Sequence, residues 1–172
     1  MHFEKVSFNQ FIHDLREYTQ LDETILDKSA KELYEQIRIP ERSTMHSAGY
    51  DFFAPVRIYI SGKCRCIVPS GIKCKFSDME AQNWHLKLYI RSSVGIKKNV
   101  VLTNGTGVID PDYYNNPDNE GDIFIALTNT SDIPAEFKAG DKIMQGILEV
   151  YGVTDDDLCS MVRAGGIGST GR

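Results

Sequence analysis

From about residue 46 onward the chain is written in short β-rich runs separated by glycine and proline turns, and this punctuation constrains the fold most. "VRIYI" (Val56 to Ile60) is rich in β-branched and aromatic residues and is followed by the turn "SGK". "CIVPSGIKCKF" reads as strand, Pro-Ser-Gly turn, strand. "HLKLYI" (His85 to Ile90) alternates polar and apolar residues, and "DIFIALTN" and "KIMQGILEVYG" supply further strands. Runs of this length between frequent turn signals predict an all-β sandwich or barrel. No long helical stretch separates them, which argues against a parallel sheet, whose crossovers need helices.

Residues 1–42 follow a different pattern and read as a helical N-terminal extension. "SFNQFIHDLREY" begins with Ser7 and places Gln10 three residues later, a capping box. Phe8, Phe11, Ile12 and Leu15 then fall on one helical face. In "ETILDKSAKELYEQI" a second stripe, Leu26, Ala30, Leu33, Tyr34 and Ile37, precedes Pro40, which disfavours helix in the residue before it. Both stripes need something to dock on. Residues 43–158 then form the β domain, and residues 159–172 are too glycine-rich to fold by themselves and read as a flexible lid or tail.

The net charge of −5 argues against a duplex nucleic-acid binder, which carries a basic stripe. It leaves a small anionic ligand open, because a pocket can be positive inside an acidic protein. No apolar run approaches bilayer length and no signal peptide is visible, so no membrane contact is expected and the chain reads as cytoplasmic. Cys64, Cys66, Cys74 and Cys159 read as reduced thiols, since the one-residue gap in "CRC" does not match zinc spacing.

Five stretches carry chemistry. "SAGYDFFAP" places Asp51 at a strand start. "YIRSSVGIK" leaves a strand and enters a loop with Arg91, Ser92, Ser93 and Gly95, whose guanidinium and hydroxyls suit phosphate oxygens. "GTGVIDPDYYNN" suggests a hairpin whose arm presents Asp110 and Tyr113, and an ionised carboxylate there can orient and deprotonate a water. "AGDKIMQGILEVYG" runs from a turn into a strand with Gln145. "RAGGIGSTGR" offers successive backbone N–H groups and two hydroxyls to an anion. Each also has a plainer reading: a turn cap for Asp51, ordinary polar turns for the second and third stretches, a solvated side chain for Gln145, and a frayed end for the tail.

Together, in this order and spacing, "AGYD", "RSS-G", "GVIDPDY", "AGDKIMQ" and "GGIGSTG" resemble the five motifs of the trimeric dUTP pyrophosphatase (dUTPase) family, of a bacterial or phage type with a helical N-terminal extension. "PSGIK" before the second motif is similar too. The resemblance implies a β jelly roll, a distorted barrel, assembled as a homotrimer with active sites shared between subunits. It implies hydrolysis of dUTP to dUMP and pyrophosphate, with Mg²⁺ on the triphosphate. That reaction keeps uracil out of DNA and supplies dUMP for thymidylate synthesis. Carried onto this chain, Asp110 is the base for the water that attacks the α-phosphorus. Tyr113 packs on the deoxyribose and excludes a 2′-hydroxyl. Backbone groups from Gly105 through Gly107 and Val108 to Ile109 read the uracil edge. Arg91, Ser92, Ser93 and Gln145 serve the phosphates, and Asp51 meets the metal only through water. Arg163, Ile167, Gly168, Ser169 and Thr170 close over the nucleotide.

The sequence departs from the family pattern in several places. Ile167 stands where the family has a phenylalanine that stacks on uracil, which implies weaker capture of the base. The link from Arg163 to the glycine pair is one residue short. "YNNPDNE" (Tyr114 to Glu120) lengthens the loop after Tyr113 and reads as a surface insertion. "RSS" replaces Arg-Ser-Gly and is similar to the related dCTP deaminases, which share the fold, so deamination is a rival reading. Those enzymes use a glutamate on the next strand, and Ala126 occupies that place here. A non-catalytic trimeric nucleotide-binding regulator is the other alternative.

Overall fold

A computed structural model of the chain describes residues 1–19, 23–161, 163, 165 and 166, without the side chains of residues 23–28. Strand β1 (His2–Lys5) is followed by helices α1 (Phe8–Tyr18) and α2 (Glu23–Glu35). Strands β2 (Tyr50–Phe53), β3 (Ile58–Ile60), β4 (Arg65–Pro69), β5 (Ile72–Lys75) and β6 (Trp84–Ile90) lead to helix α3 (Ser92–Lys98). The remaining strands are β7 (Val100–Leu102), β8 (Gly107–Ile109), β9 (Phe124–Asn129), β10 (Ala135–Phe137) and β11 (Lys142–Val150).

The strands pair antiparallel in four groups: β2-β11-β6-β8, β4-β9-β7, β1-β5 and β10-β3. Alternation in the sequence appears as alternation in burial. Along β9, Ile125, Leu127 and Asn129 are buried while the residues between them are half-buried. The two larger sheets enclose one apolar cluster containing Phe52, Leu86, Ile123, Ile125, Leu127, Ile143 and Phe137. This is a mainly β, distorted jelly-roll architecture.

The N-terminal region contributes to that same cluster. Ser7 caps α1 as its spacing predicts, its hydroxyl accepting the Gln10 N–H at 3.2 Å. Val6, Phe11, Ile12 and Leu15 are buried, and α1 lies on β4. Ala30, Leu33 and Tyr34 of α2 pack on the cluster, and Ile37 is buried in it. Leu26 falls outside the described side chains. Strand β1 has no counterpart among the expected elements; it pairs with β5 and places Phe3 opposite Cys74.

Two sequence expectations are corrected. The "RSSVGIKK" stretch is a helix and not a loop, with Arg91 as its extended N-cap residue and Asn99 closing it in the left-handed region. The stretch before Asp110 is not one arm of a β7–β8 hairpin, because β8 pairs with β6 while β7 pairs with β9. The turn between β7 and β8 carries the chain from one sheet to the other.

Two carboxyl groups are buried beside this frame. Asp122 is fully buried. Its Oδ1 accepts the Gly71 N–H at 2.9 Å, and its Oδ2 has no partner. Asp14 on α1 is 2% exposed and also has an unpartnered Oδ2. Burial, followed by the charge of Asp14, pushes the Asp122 carboxyl well above the ordinary carboxylate range. A raised folded-state pKa contributes stability that is complete below the unfolded value near ~3.9 and is lost as pH rises above it. Asp122→Asn keeps the acceptor to Gly71 and removes the proton dependence. We expect it to raise stability in chemical denaturation by about 1–3 kcal/mol, more at pH 8 than at pH 5. A variant less stable at both pH values refutes this account.

Candidate active site

The turn that delivers the chain to β8 also builds a cleft between the sheets. Gly105 sits at φ +73°, a left-handed conformation that reverses the chain after β7. Among the described residues β8 then forms the outer edge of its sheet, paired to β6 through Leu86↔Ile109, Lys87↔Val108 and Leu88↔Gly107. An edge strand presents unpaired N–H and C=O groups. Beyond β8, Asp110 is extended and leads into a 3₁₀ turn, Pro111–Tyr113, with proline at its start. The Tyr113 N–H donates to the Asp110 carbonyl at 3.1 Å.

A cavity of about 370 Å³ opens between the two larger sheets at this point. Ile67, Leu88, Leu102, Phe124 and Ala126 supply apolar walls, and Gly107, Val108, Ile109 and Tyr113 line one side. Arg163 and Gly166 of the C-terminal segment complete the lining. Arg163 donates from Nη2 to Asp110 Oδ2 at 2.8 Å and from Nε to Asp112 Oδ1 at 2.9 Å. Its guanidinium also stands 5.6 Å from the Tyr113 ring centre. Gly166 N–H donates to Asp118 Oδ2 at 2.7 Å. The segment therefore docks on three aspartates around the cavity mouth. Ile167, Gly168, Ser169 and Thr170 lie outside the described residues.

A second polar centre forms where β6 ends. Asp51 on β2 is buried, and Arg91 Nε lies 3.2 Å from its Oδ1. Lys142 Nζ is 2.8 Å from its Oδ2, which also accepts the Ser43 hydroxyl at 2.6 Å. Burial alone pushes this carboxyl up, but the Lys142 and Ser43 hydrogen bonds and the Arg91 charge outweigh it and hold the group below its ordinary range. Arg91, Ser93, Lys97, Lys98 and Lys142 line a basic cleft of about 410 Å³. Ser92 is exposed on the first turn of α3. Gln145 lies on β11 opposite both Asp51 and Tyr89. Its side chain crosses Gly49 so closely that a Cβ there would meet Gln145 Oε1 at 2.6 Å, so a larger residue at this position would displace the Gln145 side chain.

The chain thus carries two separate polar centres. Tyr113, β8 and Arg163 line one cavity, with Asp110 beside it bonded to Arg163, whereas Arg91, Ser93 and Lys142 line another. Ser43, Lys142, Asp118 and Asn119 were not singled out from sequence. Lys142 stood inside a quoted motif, and the Asn/Asp-rich "NNPDNE" is a signal for side chains that bond their own backbone. The loop Tyr114 to Glu120 is not the simple surface insertion that its composition suggests, because Asn116 and Asn119 are buried in it. Ala126 lines the cavity, and "FIALTN" of β9 contains no carboxylate.

The carboxylates at the cavity do not form a metal cage. Among the described residues, the one cluster of His, Asp and Glu side chains spaced for an ion is His13, Asp14 and Glu17 on α1, and none of these lines the cavity. Both Asp51 oxygens are engaged by cations or a hydroxyl. Such a donor set fits a hydrated Mg²⁺ carried chiefly by substrate phosphates, which is how Mg²⁺ commonly binds. No helix among the described residues is long and apolar enough to cross a membrane.

A family model described as dUTPase matches residues 35–171. The deoxyuridine 5′-triphosphate nucleotidohydrolase of Lactococcus lactis is 42% identical over 138 residues, covering 78% of this chain and 89% of that protein. The Arabidopsis thaliana protein of the same name is 34% identical over 146 residues, covering 82% of this chain and 81% of its own. A crystal structure of dUTPase from Streptococcus mutans superposes with a TM-score of 0.67 at 34% identity, covering 90% of this chain and 99% of that one. A dUTPase from phage phi11 of S. aureus, described with a structural Mg(II) ion, shares the fold at 18% identity with a TM-score of 0.60, covering 74% of this chain and 92% of that one.

Proposed function

The chain belongs to the dUTPase family, and from that premise we propose that its cavity hydrolyses dUTP to dUMP and pyrophosphate, with Asp110 as the base. The observation that carries this reading is a cavity lined by the outer strand β8, the buried Tyr113 and Arg163, with the Asp110 carboxylate next to it and bonded to Arg163. Uracil carries an imide edge with one donor between two acceptors. The outer edge of β8 can meet it with backbone donors and acceptors, and the apolar walls can cover the ring faces. In this reading the Tyr113 ring, which lines the cavity, packs on the deoxyribose and excludes a 2′-hydroxyl. Asp110 at the mouth orients a water toward the α-phosphorus and accepts its proton.

Phosphoryl transfer needs in-line positioning and charge neutralisation more than covalent help. Mg²⁺ bound to the triphosphate supplies part of that neutralisation. Arg163 supplies another part from the C-terminal segment and Arg91 a further part, while Ser92, Ser93 and Gln145 donate hydrogen bonds to phosphate oxygens. The two polar centres line separate cavities within one chain, so this reading makes each one half of a site that a neighbouring subunit completes, in the homotrimer that the family resemblance implies. Asp51 holds Arg91 and Lys142 in place and meets the metal's water shell at most indirectly. Ala126 at the cavity wall leaves deamination without its proton-shuttling carboxylate, so that alternative has no support here, and neither does a purely regulatory role.

The test is a panel of dUTP, dCTP, dTTP and UTP assayed with Mg²⁺ for pyrophosphate and ammonia. Pyrophosphate release confined largely to dUTP is the expected result. Ammonia from dCTP, or no pyrophosphate from any nucleotide, overturns the reading.

A further inference from the structure

The loop Tyr114 to Glu120 grips Tyr113 at both ends. At the main chain, Asn116 Nδ2 donates to the Tyr113 carbonyl at 2.8 Å. Gly121, at φ +86°, passes so close that a Cβ would lie 2.7 Å from that same carbonyl oxygen. At the ring end, Asn119 Nδ2 donates to the Tyr113 phenol at 2.7 Å. The phenol donates onward to the Asp122 carbonyl at 2.9 Å.

The direction of this chain of bonds is fixed by its ends. Gly121 N–H can only donate, and it reaches Asn119 Oδ1 at 3.0 Å, so the amide nitrogen must face the phenol. The Asp122 carbonyl can only accept, so the phenol must give it its proton. Asn119 is 6% exposed, and its Oδ1 also accepts from Asn116 Nδ2 at 2.7 Å. The loop is anchored independently at its far end. Glu120 accepts from the Ser7 N–H at 2.9 Å and the Ser7 hydroxyl at 2.7 Å, and Lys73 reaches Asn115 at 2.7 Å.

We infer that Asn119 is a positioning residue that holds the Tyr113 ring against the sugar and thereby sets discrimination between deoxyribo- and ribonucleotides. The inference rests on the proposed role of Tyr113 in excluding a 2′-hydroxyl. Without Asn119 the phenol keeps one bond instead of two, the ring gains freedom, and the ring moves out of the way of a hydroxyl. Displacements of about 1 Å at a positioned group change rates by up to about 10²-fold.

The experiment measures kcat/KM for dUTP and UTP, each with Mg²⁺, for Asn119→Ala, Asn119→Ser, Tyr113→Ala and Tyr113→Phe, and for the Asn119→Ala/Tyr113→Phe pair. The dUTP/UTP preference is expected to fall by about tenfold or more in Asn119→Ala, chiefly through a gain with UTP. In the Tyr113→Phe background, where the bond is already gone, Asn119→Ala is expected to change the preference far less, the mark of a coupled pair. Asn119→Ser keeps a small polar group that cannot reach the phenol, and is expected to repeat the Asn119→Ala loss should the latter fail to fold. If Tyr113→Ala abolishes the preference while both Asn119 variants keep it, Asn119 does not position the ring. If Tyr113→Ala itself leaves the preference intact, the role of Tyr113 fails and the inference falls with it.

Discussion

Asp110→Asn is expected to lower kcat for dUTP by about 10²–10⁴-fold, the usual contribution of a positioned general base. The substitution keeps the side-chain shape and removes the ability to take a proton. The backbone at Asp110 is held by the Tyr113 N–H and the following Pro111, so the loop should not rearrange. Binding of a non-hydrolysable α,β-imido analogue of dUTP should survive, because the walls and the β8 edge are unchanged. Asp112→Asn is the control. Asp112 is about as exposed as Asp110 and bonds the same arginine, yet it stands one proline further along and is assigned no chemistry. A large loss in both variants would point to charge and not to a base. Turnover near wild type in Asp110→Asn removes the residue from that role altogether.

Legibility from sequence follows how local each determinant is. The N-cap at Ser7, the Pro-Ser-Gly turn and the period-two alternation of "HLKLYI" are contained in a few residues, and the structure reproduces them, although the Gln10 side chain bonds Asp14 and does not close the capping box. Strand partners are set by distant packing, which is why β8 joins β6 and not β7, and why β1 escaped notice. "RSSVGIKK" looked like a loop because Ser, Ser and Gly are weak helix formers. Its helix is held by tertiary contact, with Val94 buried beneath it. The family was legible because each of its motifs is a short contiguous run of residues. The Asp51–Lys142–Ser43 cluster was not, since it joins three separate segments. The role of the loop after Tyr113 was hidden for a further reason. Asparagines read as solvated turn residues unless the structure shows their amides buried, and here it does.

Arg163→Ala is expected to lower kcat/KM for dUTP by about 10²–10³-fold, a loss typical of removing one electrostatic group aimed at a transition state. The geometry suggests how the loss divides. Arg163 pairs with both Asp110 and Asp112, and its own side chain is only 13% exposed. Removing it leaves two carboxylates facing an incoming polyanion, which should raise KM. It also removes a cation from the phosphates during transfer, which should lower kcat. Both parameters should therefore change, and the KM increase should shrink as salt screens the carboxylates. Arg163→Lys separates charge from shape. A lysine restores the positive charge but cannot bridge two carboxylates through a planar fork, so it should recover part of KM and little of kcat. Full recovery by lysine would reduce Arg163 to a point charge. A kcat/KM within a few-fold of wild type in Arg163→Ala would mean that the contact with Asp110 and Asp112 holds the segment in place without serving the reaction.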